Sequence, residues 1–193
     1  MLVLSTYHSQ EELKRRLVEI DSSFFTVASK NPTASYRVLW YRRGLYGEKC
    51  KVDLLLPGVM SIPSIPSSSI VWIDGLPVAP FSMVLLLKLQ AWDDHKKEYK
   101  TYLNLKQHTD VKDIDYMLPL AQANGLEPRK ESTLPTSFIQ KAEGRVRDYT
   151  RSFPNSAKYW KALGFEAYVV PDISSPSYKY RCVRDGLIEN LHL

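Results

Sequence analysis

The first third of the chain alternates between apolar and polar residues in the way that strands do. Three stretches follow this period of two and predict strands at 24–28, 36–42 and 50–56, with a further short strand at 2–5. Between the strands predicted at 2–5 and 24–28, Ser9 is a favourable N-cap with Glu12 three residues later, which predicts a helix over 10–20. This part is expected to form a helix and strands joined by short turns.

The remaining chain changes to a helical period. Asp74-Gly75 predicts a two-residue hairpin between strands at 70–73 and 76–79, after a Ser- and Pro-rich stretch at 59–69. Helices are predicted at 81–97, 103–123, 136–151 and 155–163, the last ending at Gly164. Strands first and helices last indicate an α+β fold, with a mixed β-sheet followed by a C-terminal helical portion. We expect one domain over 1–165 and a poorly ordered tail over 166–193, where Ser and Pro interrupt the pattern.

Composition narrows the class of protein. The chain has 193 residues, of which 44% are hydrophobic and 11% aromatic, enough for a core. Neither a signal peptide nor a membrane-spanning stretch is evident, and two distant cysteines make no disulfide framework, so we expect an intracellular protein, cytoplasmic or nuclear, without a membrane partner. Cys50 is predicted to be a buried free thiol. The net charge of +5 favours anionic partners such as nucleotides or nucleic acid, but only weakly.

Asp53 is a carboxylate within an apolar strand. In 51–56, alternation places Lys51 and Asp53 on one face and Val52 and Leu54 on the other. A carboxylate there needs a cation, so Asp53 is either a metal ligand on a central strand or a rim residue, solvated or paired with a neighbouring lysine.

Lys88 lies inside the apolar stripe of the helix at 81–97, between Leu85 and Leu89. A lysine in this position either extends its ammonium group to solvent, forms a structural ion pair, or contacts a phosphate or an acidic site.

A polar group follows on the next predicted helix. Lys106 is one turn before Asp110, and Asp113 is one turn after it. These residues are either a solvated polar face with Lys106–Asp110 pairing or part of a ligand site, since two acids at this spacing repel unless a cation lies between them. The histidines show no zinc-ligand spacing, and the sequence has no nucleophile elbow, Walker loop or GxGxxG motif.

Six segments resemble the nucleotidyltransferase fold, in particular a fungal group related to the AbiEii-type toxin nucleotidyltransferases. The segments are SQEELKRRL, FFTVASKNPTASYRVLWYR, CKVDLLLPG, IDGLPVAPFSMVLLLKLQAWDDH, KQHTDVKDID and the region around FPNSAKYWKALGF. The resemblance extends over about 1–165 and is most specific in the pair KVDLLLPG and LLLKLQAW.

The resemblance implies a site that holds magnesium or manganese for nucleotidyl transfer. Asp53 matches the third metal-binding acid of the fold, and Lys88 matches the lysine of the following helix, which gives both a catalytic role. Lys88, Lys106, Asp110 and Asp113 are the implied nucleotide-binding residues, although Thr109 replaces the lysine of the family's KDxxD motif. The glycine turn and the DxD ligands of the family would precede Met1.

The sequence therefore predicts a nucleotidyltransferase-like domain that is inactive or incomplete as given. The alternative is a non-catalytic module that binds nucleic acid or nucleotides through its basic surface, and a third hypothesis is a protein-interaction remnant. In the leading interpretation Asp53 and Lys88 are expected to approach each other near the sheet edge, because each needs an opposite charge.

Overall fold

The computed structural model describes residues 8–44 and 46–168. Their α-carbon contacts divide them into two compact units. The sheet unit contains the described residues up to Val84 together with Glu131–Phe138, and the helical unit contains Leu85–Lys130 and 139–168. The predicted strand at 2–5 and the predicted tail from 169 onward lie outside the described residues.

The first element is helix α1, Gln10–Ile20, with the bounds that the sequence predicts. Ser9 caps it as expected, because the Ser9 hydroxyl accepts a hydrogen bond from the Glu12 amide at 3.2 Å. At the other end, the Ser23 amide donates to the Asp21 carboxylate at 2.8 Å and closes the turn into the next strand.

Three antiparallel strands follow in the order β1-β2-β3, which are Phe24–Ala28, Arg37–Arg42 and Lys49–Val52. Phe25 lies opposite Trp40, and Trp40 lies opposite Lys51. The third strand is shorter than predicted and ends before Asp53, so Asp53 follows an edge strand of the described sheet rather than projecting from a central one. Every pairing among the described strands is antiparallel, and the predicted strand at 2–5 lies outside the described residues, so the expected mixed sheet stays a prediction.

A separate hairpin contains β4, Val71–Ile73, and β5, Leu76–Val78, as the Asp74-Gly75 signal predicts. Asp74 and Gly75 have φ angles of 50° and 76°, the left-handed pair that a tight hairpin turn of this twist requires. All six strand residues are exposed.

After the hairpin, the described chain contains five α-helices. They are α2, Phe81–Lys97; α3, Thr101–Asn104; α4, Gln107–Ala123; α5, Thr136–Ser152; and α6, Ala157–Ala162. The first turns of α2 and α5 belong to the sheet unit and the remainder to the helical unit. The predicted helix at 103–123 is divided in two, and the one predicted at 155–163 begins as a 3₁₀ turn, Pro154–Ser156. The structure is thus a mixed α and β protein.

Aromatic side chains form the centre of the helical unit. Trp92 on α2 and Tyr149 on α5 meet edge to face with ring centroids 4.9 Å apart, and Tyr149 also contacts Phe153 and Trp160. Trp160 in turn contacts Phe165 at 5.7 Å. Such pairs stabilise a core beyond the area that they bury.

The structure also bears on the predicted burial of Cys50 and on the membrane. Cys50, predicted to be buried, is exposed, because β3 is an edge strand of the described sheet. Among the helices of the described chain, none combines the length and apolar character that crossing a bilayer requires.

Candidate functional site

Asp53 lies immediately after β3, with its side chain 65% exposed. Its carboxylate is 2.7 Å from the ammonium of Lys51, the residue two positions before it on the same face. The burial follows the predicted alternation, since Leu54 and Leu56 are buried while Lys51 and Asp53 are exposed. The contact corresponds to the interpretation of a rim carboxylate paired with a neighbouring lysine.

Lys14 on α1 is 5% exposed, which is unusual for a lysine. Its ammonium donates to the Glu11 carboxylate and to the backbone carbonyl of Arg37, each at 2.6 Å. An ammonium has three donors, and within the described part of the chain these two contacts use two of them. The ring of Tyr36 lies 5.8 Å from the same nitrogen. No local pattern in the sequence predicts this burial, because it depends on the carbonyl of a strand residue 23 positions away.

Lys14, Tyr36, Lys51 and Asp53 line a cleft of about 130 Å³ in the sheet unit. Its polar lining consists of Gln10, Lys14, Tyr36, Arg37, Lys51 and Asp53. Three of these side chains are cationic, and in the described chain Asp53 is the one acidic residue among them. The Arg37 guanidinium is held toward β1 by two hydrogen bonds that it donates to Thr26, one to the hydroxyl at 2.8 Å and one to the backbone carbonyl at 3.1 Å. Lys14 is matched by Glu11 and Lys51 by Asp53, so the positive charge that the cleft offers an anion comes mainly from Arg37.

A second group of charges lies in the helical unit, between α2 and α4. The Lys88 ammonium is 2.6 Å from the Asp113 carboxylate and 3.9 Å from that of Asp110. The structure thus brings three of the predicted site residues together, with the cation between the two acids. Lys88 forms the ion pair that was one of its three interpretations, and Asp110 is buried rather than on a solvated face.

His95 completes this group and was missed by sequence reasoning. Its Nδ1 is 2.6 Å from the second carboxylate oxygen of Asp110, whose side chain is 7% exposed. A buried carboxylate fixes the orientation of a histidine ring in this way and leaves Nε2 as the outer nitrogen. His95 and Asp110 are 15 residues apart on two helices, so no spacing in the sequence predicts that they pair.

The other predicted contacts have different outcomes. The pairing of Lys106 with Asp110, one of the two interpretations of this group, is wrong, because the ion-pair partners of Asp110 among the described residues are Lys88 and His95. The contact between Lys106 and Asp110 is a backbone hydrogen bond, which the Lys106 carbonyl accepts from the Asp110 amide. The nucleotide-binding role of Lys106 stays a prediction. Asp53 belongs to the sheet unit and Lys88 to the helical unit, so their expected approach also stays a prediction.

The arrangement around Asp53 does not fit the magnesium or manganese ions that the resemblance implies. A divalent ion of this kind needs several oxygen ligands, whereas Asp53 has an ammonium on one oxygen and cationic neighbours around it. Within residues 8–44 and 46–168, no three His, Cys, Asp or Glu side chains gather into a group able to hold a metal ion.

Comparisons with protein-family models, with curated proteins and with solved structures returned no match to this chain. The resemblance to nucleotidyltransferases therefore stays a prediction from the sequence.

Proposed function

We propose that this chain is a nucleotidyltransferase-like domain that binds the phosphates of a nucleotide in the cleft of the sheet unit without transferring a nucleotidyl group. The observation that carries the proposal is the buried ammonium of Lys14 at a cleft that Arg37 and Lys51 also line. Phosphate oxygens are the acceptors that such a convergence of cationic donors suits.

The size of the cleft supports a phosphate as its occupant. The cleft has a volume of about 130 Å³. This space suits a phosphate group and not a whole nucleotide, so the base would lie outside. Tyr36 is 51% exposed at the rim, where its ring offers a surface for stacking.

Binding without transfer follows from the charges. Nucleotidyl transfer through two metal ions depends on carboxylates that hold both ions near the reacting phosphate. Asp53 is the one acid lining the described cleft, and it is paired with Lys51. A phosphate in the cleft meets Asp53 as a repulsive neighbour instead of a metal-bound partner.

The test is nucleotide binding by Asp53→Asn. If the carboxylate repels the phosphate, this variant binds a nucleoside triphosphate about fivefold more tightly than the unchanged protein, equivalent to about 1 kcal/mol. Lys51→Gln weakens binding by a similar factor, because it removes one cation from the cleft. Asp74→Asn and Lys30→Gln are the matched controls on exposed residues outside the lining and are expected to have no effect.

Titration calorimetry with ATP, once with EDTA and once with magnesium, measures these affinities. A second assay follows the transfer of label from a radioactive nucleoside triphosphate to RNA or protein acceptors, with no transfer expected. Metal-dependent binding that Asp53→Asn abolishes, or labelling that it abolishes, would overturn the proposal and restore Asp53 as a metal ligand.

A further inference from the structure

One face of the three-stranded sheet combines aromatic rings with cations. The register places Phe25, Trp40 and Lys51 in one row across the strands, and Arg42 lies opposite Lys49 in the adjacent row on the same side. We call these five residues the aromatic–cationic face. The opposite side carries Leu39, which is fully buried and marks the core side of the sheet.

The charge of the sheet has one sign. Its three strands contain four cationic residues and no acid: Arg37, Arg42, Lys49 and Lys51. Three of the four lie on the aromatic–cationic face, and all three are exposed. An exposed surface with cations at this density attracts a polyanion more strongly than a single phosphate, because each cation neutralises a separate phosphate.

The two rings are half-buried, so part of each remains open to a ligand. The Arg42 guanidinium lies 5.6 Å from the ring centroid of Phe25, and the Lys49 ammonium lies 5.7 Å from that of Trp40. Cation–aromatic contacts at exposed sites are weak, and these long side chains can leave the rings when phosphates offer a stronger partner.

We propose that the aromatic–cationic face binds single-stranded nucleic acid. Unpaired bases stack on Trp40 and Phe25, while Arg42 and Lys49 contact the backbone phosphates. Lys51 on the same face is paired with Asp53 and contributes less. Rings directly opposite on neighbouring strands have Cβ atoms about 5 Å apart, a distance that two successive bases of an opened strand can span. A duplex keeps its bases stacked inside, so it would gain only the phosphate contacts.

This inference does not depend on the proposed nucleotide cleft. Lys51 lines both surfaces, so it is left unchanged in the test below. Loss of nucleotide binding in the cleft and loss of single-strand binding on the sheet are then separate results.

The experiment measures fluorescence anisotropy of labelled ten-residue oligo(U) and oligo(dT), and of a duplex of equal length, over a series of salt concentrations. The unchanged chain should bind the single strands more tightly than the duplex. Trp40→Leu should weaken single-strand binding about tenfold by removing a stacking surface. This substitution breaks no hydrogen bond of the described chain, since the buried Trp40 indole nitrogen has no acceptor there.

The double variant Arg42→Gln with Lys49→Gln should reduce the slope of log affinity against log salt by about 1.4, at about 0.7 per phosphate contact. The control for the ring is Trp72→Leu, on the exposed hairpin, and the control for charge is Arg15→Gln with Lys30→Gln. Both controls should bind as the unchanged chain does.

Several results would overturn the inference. These are no binding of either single strand at low salt, equal binding of the duplex, or an unchanged salt slope in the Arg42 and Lys49 double variant. If Trp40→Leu fails to fold, as thermal melting would reveal, the double variant of exposed cations decides alone. A difference between oligo(U) and oligo(dT) identifies RNA or DNA as the preferred strand.

Discussion

Two of the four tryptophans, Trp92 and Trp160, are fully buried in the helical unit, whereas Trp40 and Trp72 in the sheet unit are partly or largely exposed. In the helical unit both rings contact Tyr149. In the sheet unit Trp40 has a lysine above it. The same residue type therefore serves as core in one unit and as surface in the other. The exposure of the ring distinguishes the two uses and a nearby lysine does not, since Lys96 lies 4.7 Å from the ring centroid of the buried Trp92.

The charged residues differ between the units in the same way. Asp110 in the helical unit is buried and contacts His95 and Lys88, so its charge is matched inside the protein. In the sheet unit Lys14 is buried and matched by Glu11, whereas Arg37, Lys51 and Asp53 are exposed around an open cleft. Paired interior charges are expected to support structure, while an excess of one sign at an open surface is expected to attract a ligand.

The largest expected effect comes from removing a buried ring. Trp160→Ala should lower the free energy of unfolding by about 3–5 kcal/mol, because it leaves a cavity beside Tyr149 and Phe165. Trp72→Ala should change it by no more than about 0.5 kcal/mol, since the side chain is 68% exposed. Urea denaturation followed by circular dichroism measures both. Equal losses in the two variants would contradict the contrast between the units.

A smaller effect is expected from the charge cluster between α2 and α4. Asp110→Asn should cost about 1–3 kcal/mol at neutral pH, because it replaces the buried charge that accepts from His95. Asp113→Asn should cost less than about 1 kcal/mol, since that carboxylate is 40% exposed and solvent weakens its pairing with Lys88. Asp94→Asn is the exposed control on α2. The comparison fails if Asp113→Asn is the more destabilising change.

The elements with local signals were predicted closely from the sequence. The cap of Ser9 and the Asp74-Gly75 turn specify α1 and the hairpin through contacts within a few residues. The end of β3 was not predicted, because an apolar run such as 52–56 suits a buried loop as well as a strand, and burial is decided by tertiary packing. The exposed position of Cys50 depends on which strand lies at the edge, which the local pattern does not specify.

The candidate site was predicted only in part for the same reason. Lys88 was singled out as a charge within an apolar stripe, and Asp110 and Asp113 as two acids that repel unless a cation lies between them. The structure brings the three together. Lys14 and His95 were missed. Each acquires its role from a partner on another element, the carbonyl of Arg37 and the carboxylate of Asp110.

A pH effect follows from the core of the helical unit. Burial, and then the nearby Asp115 carboxylate, raise the pKa of Tyr149 above its ordinary value of 10.0. The unfolded chain ionises this tyrosine near pH 10 while the folded chain keeps it neutral. Stability from Tyr149 is therefore complete below pH 10 and falls at higher pH, by about 1.4 kcal/mol per pH unit. Tyr149→Phe should lose this dependence in alkaline urea titrations, and an unaltered slope would contradict it.

The smallest expected effect lies in the sheet unit, at the turn between α1 and β1. The Ser23 backbone amide, and then its side chain, donate to the Asp21 carboxylate and lower its pKa below 3.8. The charged form is thus favoured in the folded chain, so the turn contributes stability above pH 3.8 that is lost as the pH falls through the folded pKa. Carboxyl NMR titration should find Asp21 titrating lower than an ordinary aspartate. Ser23→Ala keeps the backbone donor, the larger cause, and should therefore remove only part of the shift. If Ser23→Ala removes it entirely, the hydroxyl and not the turn geometry determines the charge of Asp21.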